Sequence, residues 1–194
     1  MPITVYRESL NTKSVHVNPT YVDANNNQIL ASSEKPMPQV DVNHIRLHEG
    51  KAFYYHKLAP DSDKLASGSS IDVAIAFASG IKAHLHEDVI CGGDAEFFMY
   101  SGSVVTGGTS VTAINRDFTS SNVSQSAILL NPTITSLGTV VNSSFIPGGT
   151  GRKSSGSGGG SFQFVLAPLT TYLFRLTNVN GAAHMAHIIL TWYE

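Results

Sequence analysis

Two histidines separated by one residue, His84 and His86, form the sharpest potential metal-binding pattern in this sequence. If this stretch is a β-strand, residues two apart face the same side, so both imidazoles could reach one ion. Glu87 and Asp88 follow directly and could add carboxylate oxygens. The alternative interpretation is a pair of solvent-facing histidines at the end of a strand.

A metal enzyme similar to the cupins is one hypothesis for this pair. The cupin pattern requires a glutamate several residues after the second histidine, then a glycine and later another histidine. Here the position of the acid falls next to Cys91, where there is no carboxylate, and Glu96 lies too far along the chain. His184 and His187 could supply a late ligand, but their surroundings do not match the pattern. We therefore predict no cofactor and no metal, with the His84/His86 pair as the candidate ligands if a metal binds.

The other reactive side chains predict no catalytic set. His48 next to Glu49 could act as an acid–base pair, but a strand over His44–His48 that ends in a polar turn explains the same residues. Gly50 and the β-rich flanks argue against a helix here, so His44 and His48 are not expected to share a helix face. No GxSxG or HExxH motif is present. The lone Cys91 precedes two glycines and is predicted to be a small buried residue.

Composition excludes several classes of function. Charged residues make up 13% of the 194 residues, about half the usual quarter, and the net charge is −2. The chain therefore lacks the basic surface that nucleic acids require. It has no apolar run of membrane-spanning length and no apolar stretch of signal-peptide length at its start. One cysteine permits no internal disulfide. We predict a protein made in a cytoplasm, with neither nucleic acid nor membrane as a partner.

Apolar alternation predicts an all-β body over residues 41–194. No segment offers ten or more residues of helical period, and short strands separated by turn signals indicate a sandwich or a barrel. Ile71–Ala78 is the most apolar run and is predicted to be a central strand. The other strand candidates are His44–His48, Ala52–Leu58, Ile81–His86, Ala95–Tyr100, Val104–Thr106, Ser110–Asn115, Ala127–Leu130, Gly138–Ile146, Phe162–Ala167, Tyr172–Thr177 and His187–Tyr193. The last three are predicted to form an antiparallel meander.

Residues 1–40 have little periodicity and are predicted to form an extended N-terminal arm. Apolar residues in the arm make a disordered terminus a poorer interpretation, and ordered termini must be tied to something. Partner contacts are assigned to Tyr6, Val15, Val17 and Tyr21. The surface that they contact is either the β body of the same chain or a neighbouring molecule. The glycine-rich segment Pro147–Ser161 lacks P-loop spacing and is predicted to be a mobile surface loop.

Several segments of the body resemble one family. These segments are Leu47-His48-Glu49-Gly50 with Phe53, Tyr54 and Tyr55; Ala95-Glu96-Phe97; Asn115-Arg116; and the stretch from Leu166 through Pro168, Thr170 and Tyr172–Asn178 to Trp192-Tyr193-Glu194. On these residues the chain resembles the jelly-roll decoration, or cement, proteins of tailed-bacteriophage heads. The resemblance covers about residues 44–194 and consists mainly of turn and core residues.

The resemblance implies a single jelly-roll-like β-sandwich with no enzymatic activity. It implies a virion protein on the capsid exterior, made in the host cytoplasm. The implied partners are the major capsid protein and further copies of the chain, as a trimer first and a dimer second. Two alternatives remain, the cupin-like metal protein and a carbohydrate- or receptor-binding fibre module. The latter would stack sugars on Tyr54, Tyr55, Tyr100 and Trp192, although Trp192 fits the core better.

Overall fold

The computed structural model describes residues 20–22, 28–30, 42–148, 156–157 and 164–194. The chain divides into two compact units, Met1–Asp41 and Val42–Glu194. In the first unit, strands β1 (Thr20–Val22) and β2 (Gln28–Leu30) pair antiparallel. Tyr21 lies in β1, opposite Ile29. The other three residues assigned to partner contacts, Tyr6, Val15 and Val17, lie outside the described residues.

The second unit contains one short helix followed by strands. Its elements are α1 (Val42–His48), β3 (Ala52–Ala59), β4 (Ser70–Phe77), β5 (Ala83–Cys91), β6 (Ala95–Ser101), β7 (Val104–Thr106), β8 (Thr109–Val111), β9 (Ile114–Asn115), β10 (Ser126–Leu130), β11 (Thr133–Ser136), β12 (Thr139–Ile146), β13 (Gly156–Ser157), β14 (Phe164–Leu166), β15 (Tyr172–Asn178) and β16 (Ala186–Tyr193). Most predicted strands are present with ends shifted by a few residues. The predicted strand Ser110–Asn115 is two strands, and β11 was not predicted.

Two six-stranded antiparallel sheets form the second unit. The first has the order β13-β5-β16-β3-β9, with β14 also paired to β5; the second has the order β12-β6-β15-β4-β10-β8. A two-stranded ribbon of β7 and β11 places Val105 and Ile134 against the outer side of the second sheet. The inner faces of the two sheets share one apolar core. The predicted all-β sandwich is therefore confirmed.

The core is made by the alternating inward residues of both sheets, as the period of two in a strand requires. Trp192 is buried against Phe53 and Phe77, with ring centroids 6.3 and 6.0 Å away. Cys91 is buried at the end of β5. The predictions that Trp192 and Cys91 lie in the core are confirmed. The apolar run in β4 is a central strand, between β15 and β10, as predicted.

The predicted meander of the last three strands is wrong. β14 and β16 both pair with β5 in the first sheet, whereas β15 lies between β4 and β6 in the second. The connections before and after β15 therefore cross between sheets. Alternation of apolar residues reports which face of a strand is buried, but it carries no information about the neighbouring strand.

The predicted strand His44–His48 is also wrong, because these residues belong to helix α1. The helix ends in a Schellman motif: the Lys51 N–H donates to the Arg46 carbonyl at 2.9 Å, and the Gly50 N–H donates to the Leu47 carbonyl at 3.0 Å. Gly50 adopts a φ of 64°, the left-handed conformation that this motif requires. The glycine that argued against a helix is the residue that ends it. Among the described residues, no helix is long and apolar enough to cross a membrane.

Candidate functional site

Three of the segments that carry the family resemblance meet at one end of the sandwich. Asn115 donates from Nδ2 to the carbonyl of Gly50 at 2.9 Å, and the N–H of Arg116 donates to the carbonyl of Ala52 at 2.8 Å. The N–H of Glu194 donates to the carbonyl of Lys51 at 3.1 Å. Segments far apart in sequence are thus joined by backbone and amide hydrogen bonds around the end of α1.

These segments surround an open cleft of about 610 Å³, which we call the end cleft. It is lined by Gly50, Lys51, Phe53, Ile81, Ser121, Asn122, Val123, Gln125 and Glu194. Residues 116–125, the connection between β9 and β10, form one wall and are called the cleft loop. The lining combines aliphatic and aromatic carbon with one ammonium and one carboxylate, so the end cleft suits a polypeptide surface as well as a small molecule.

The cleft loop contains few apolar core contacts but many local hydrogen bonds. Asn115 Oδ1 accepts from the Asp117 N–H at 2.9 Å, and Asp117 Oδ1 accepts from the Thr119 N–H and hydroxyl at 2.9 and 2.7 Å. The Thr119 hydroxyl, then its N–H, holds the pKa of Asp117 below the ordinary value, with His48 adding a smaller electrostatic contribution. Asn122 Nδ2 donates to the carbonyl of Glu49 at 3.1 Å. These Asx turns and the bond to α1 give the loop a defined shape.

Glu194 holds the other end of the cleft loop. Its carboxylate accepts hydrogen bonds from the Ser124 hydroxyl and from the Gln125 N–H, the latter at 3.1 Å from Oε2. The buried indole of Trp192 donates from Nε1 to the same carboxylate at 3.1 Å. The cleft loop is therefore tied to β16, a central strand, through one side chain.

Two large apolar side chains of the cleft loop are turned into solvent. Phe118 is 83% exposed and Val123 is 79% exposed. A single exposed apolar residue needs no explanation, but two on one loop with a defined shape offer apolar area that a partner could cover. Arg116 is exposed in the same loop and gives the loop a cation.

The candidate metal ligands His84 and His86 lie on the outer side of the first sheet. Ala83, Leu85 and Glu87 point into the core, so the two histidines share the outward face that their spacing predicts. His84 stacks on Tyr193, with ring centroids 4.7 Å apart, and His86 is exposed. Within residues 42–148 and 164–194, no group of three or more His, Cys, Asp or Glu side chains is placed to hold one metal ion.

The same outward face carries a second pair of histidines. His187 Nε2 lies 3.3 Å from His56 Nδ1, and the ring of His56 also stacks on Tyr54. Burial lowers the pKa of His187; nearby His56 lowers it further, and Asp88 opposes both. This face therefore combines imidazole and phenol rings with little net charge.

The aromatic residues proposed for sugar stacking do not form a surface. Tyr55, Tyr100 and Trp192 are buried, and burial raises the pKa of the Tyr55 phenol. Tyr54 is half-buried and is covered on one side by His56. Three of the four rings are thus unavailable to a ligand. The expectation that these four residues stack on sugars is therefore wrong.

Two features were missed in the sequence. Glu87 is buried between the sheets, where burial raises its pKa to about 7. Its position among Ala83, Leu85, Val89 and Cys91 would have placed it on the apolar face of the strand. The second feature is the approach of His44 and His48 on α1, with 3.1 Å between their Nε2 atoms. The spacing of four residues was visible, but the helix that brings them together was not predicted.

No protein-family model, no curated protein and no solved structure matches this chain.

Proposed function

We propose that this chain is a non-enzymatic virion structural protein that binds the outer surface of a tailed-bacteriophage head as a decoration, or cement, protein. The observation that carries the proposal is the meeting of the resembling segments around the end cleft. Hydrogen bonds from these segments hold the cleft loop in a defined shape, and the loop presents Phe118 and Val123 to solvent. A loop that is held in a defined shape and exposes apolar side chains fits a binding role better than a catalytic one.

The order of the strands supports the jelly roll that the resemblance implies. Taking β3, β4, β5, β6, β12, β14, β15 and β16 as the eight main strands, β16 lies between β3 and β5, and β15 lies between β4 and β6. The two last strands are thus inserted between the earlier ones, one in each sheet. This interleaving fits two Greek keys wound into a double sheet, an architecture found in viral capsid domains.

The proposed partners are the major capsid protein and further copies of this chain. Exposed apolar residues at one end of the sandwich would supply a modest contact for each copy. A homo-oligomer, as a trimer first and a dimer second, would engage several capsid subunits at once, and linked weak contacts give a much higher overall affinity. A lightly charged surface leaves the binding dependent on shape and apolar contact more than on salt.

The N-terminal arm, residues 1–40, is proposed as a second contact through Tyr6, Val15, Val17 and Tyr21. Of the arm, the structure describes β1 and β2, in which Tyr21 pairs opposite Ile29. Backbone pairing of this kind lowers the entropic cost of docking these two strands on a neighbour.

The decisive experiment is co-sedimentation of the purified chain with expanded heads of the encoding phage from which decoration protein is absent. Free major capsid protein serves as the comparison, and saturable binding to heads with a fixed ratio of chains to capsid subunits is the expected result. Absence of binding to heads would overturn the proposal and shift attention to the fibre-module and metal-protein alternatives.

Variants in the same assay locate the contact. Phe118→Ser with Val123→Ser should weaken binding to heads at least tenfold while leaving the folded sandwich intact, because both side chains are exposed. The matched control is Val179→Ser with Met185→Ser, two exposed apolar residues at the other end. Met185 and Glu194 flank opposite ends of the eight-residue strand β16, about 30 Å apart. Equal binding by both variants would place the contact elsewhere, and a truncation starting at Asp41 would then test the arm.

A further inference from the structure

We propose that His44 and His48 form a chelating site for a divalent transition-metal ion of the zinc, nickel or copper type on the surface of α1. The two residues are one helical turn apart in the run His-Ile-Arg-Leu-His, and both side chains are exposed. Their Nε2 atoms are 3.1 Å apart. Two nitrogens bound at about 2.0–2.1 Å to one tetrahedral ion lie about 3.3 Å apart, close to this separation.

The separation of the rings shows that the contact between the two imidazoles is not a linear hydrogen bond. Their centroids are 4.5 Å apart, which is 1.4 Å more than the 3.1 Å between the nitrogens, and the rings are nearly perpendicular, at 78°. In a good hydrogen bond the N–H points straight at its acceptor. The two ring centres then lie beyond the two nitrogens on the same line and are far apart. Here the ring centres are too close for that arrangement, so the contact is a bent and weak hydrogen bond that a metal ion could replace.

The other pair of histidines provides a comparison within the same molecule. For His56 and His187 the centroids are 5.4 Å apart and the nitrogens 3.3 Å apart, a difference of 2.1 Å. These rings point more directly at each other, as in a hydrogen bond. His187 is also half-buried beside strand neighbours, so an ion there would lose more of its water. The greater exposure of the helical pair therefore favours it over the sheet pair.

The charges around α1 are compatible with a bound cation. Glu49 pairs with both neighbouring cations, at 3.0 Å from Arg46 and 3.1 Å from Lys51. Asp117 of the cleft loop interacts electrostatically with His48 and contributes negative potential. His48 lies at the C-terminal end of the helix, where the aligned peptide dipoles favour positive charge. Imidazole is a ligand that zinc, copper and nickel ions prefer, and water would complete the coordination of an ion held by two residues.

The test uses the full chain without a histidine tag and titrates it with Zn²⁺, and separately with Ni²⁺, by isothermal calorimetry. One ion per chain is expected, with affinity lowered at least tenfold in His44→Gln and in His48→Gln. The control variant His56→Gln with His187→Gln should bind as the parent chain does. Long-range ¹H–¹⁵N spectra of the imidazoles give a second readout, in which Zn²⁺ shifts the signals of two of the eight histidines.

Three results would overturn the proposal. The first is the absence of saturable binding by the parent chain, and the second is binding that His44→Gln leaves unchanged. The third is loss of the site in the His56/His187 control, which would assign the ion to the sheet. Both histidines of α1 are exposed, so circular dichroism of the variants is expected to match that of the parent chain, and a lost site will not reflect lost folding. The result is independent of binding to phage heads.

Discussion

Asn142 donates a hydrogen bond from Nδ2 to Oε1 of Glu87 at 3.0 Å, joining β12 of one sheet to β5 of the other. Glu87 is fully buried, and its second oxygen, Oε2, has no hydrogen-bond partner among the described residues. The hydroxyl of Ser144, two residues beyond Asn142, is also buried and unpartnered within that part of the chain. A buried carboxyl with one bond is most stable as the neutral acid.

We predict that Glu87 makes the stability of the sandwich depend on pH. Burial raises its pKa from 4.5 to about 7, opposed in part by the bond from Asn142. The folded state therefore holds the proton more tightly than the unfolded state does. The contribution of protonated Glu87 to the free energy of unfolding is fully present below about pH 4.5 and is lost as the pH rises to about 7. Glu87→Gln should remove this dependence. The free energy of unfolding of Glu87→Gln minus that of the parent chain should therefore be about 3 kcal/mol larger at pH 8 than at pH 4.

Urea unfolding of the parent chain and of Glu87→Gln at pH 4, 6 and 8 measures this difference. Glu96→Gln is the matched control, because Glu96 is exposed on a neighbouring strand of the other sheet. A free-energy difference between the parent chain and Glu87→Gln that stays constant from pH 4 to pH 8 would contradict the assignment.

Gly50→Ala should destabilise the end cleft more than an ordinary glycine substitution. A Cβ at this position would lie 2.7 Å from the Cβ of Ser120 and closer still to its hydroxyl, and the φ of 64° is unfavourable for alanine. We expect a loss of about 2–3 kcal/mol in the free energy of unfolding. Gly68→Ala is the control, since Gly68 has a φ of 72° with open space around it, and it should cost about 1 kcal/mol. Equal losses in chemical denaturation would show that the contact with Ser120 adds nothing.

Glu194→Ala should release the cleft loop from β16. The substitution removes the acceptor for the Ser124 hydroxyl, the Gln125 N–H and the Trp192 indole, and it leaves the buried indole N–H without its partner. We expect a loss of about 1–3 kcal/mol and faster amide hydrogen exchange within residues 116–125. Exchange measured by mass spectrometry, with Glu96→Ala as the comparison, checks this result. Unchanged protection of the loop would mean that its own Asx turns are sufficient.

The ion pair between Arg175 and Asp72 should contribute measurably to stability. These residues lie directly opposite each other on β15 and β4, and the guanidinium donates to both carboxylate oxygens, at 2.7 and 2.9 Å. The hydrogen bond to Asp72 raises the pKa of Arg175, although partial burial lowers it in opposition. A double-mutant cycle with Arg175→Ala and Asp72→Ala should give a coupling energy of about 1–2 kcal/mol, because the pair is bidentate and largely shielded.

The exposed pair of Lys64 and Asp61, 2.7 Å apart, is the comparison for that cycle. Its coupling energy should be below about 0.5 kcal/mol, since water and salt screen exposed charges. If the two couplings were equal, the bidentate geometry and burial of the first pair would have no energetic effect.

Much of the secondary structure could be predicted from the sequence because it is encoded locally. Alternation of apolar and polar residues identified β3, β4, β6, β7, β10, β12, β15 and β16, and the apolar surroundings of Trp192 and Cys91 placed both in the core. The outward direction of His84 and His86 also followed from the period of two in a strand. Such patterns depend only on which side of a strand meets water.

Tertiary structure alone decided which strands pair, where α1 lies and which side chains meet. β15 joins the second sheet although its chain neighbours β14 and β16 join the first, because strand pairing is selected by contacts across the whole core. The seven residues of α1 are too few for a helical period to stand out, and their stability comes from the Schellman motif at Gly50 and from bonds to the cleft loop. The bond from Asn142 to Glu87 and the joining of Asn115 to Gly50 follow from these long-range choices, which no local pattern records. The approach of His44 to His48 follows from the helix itself.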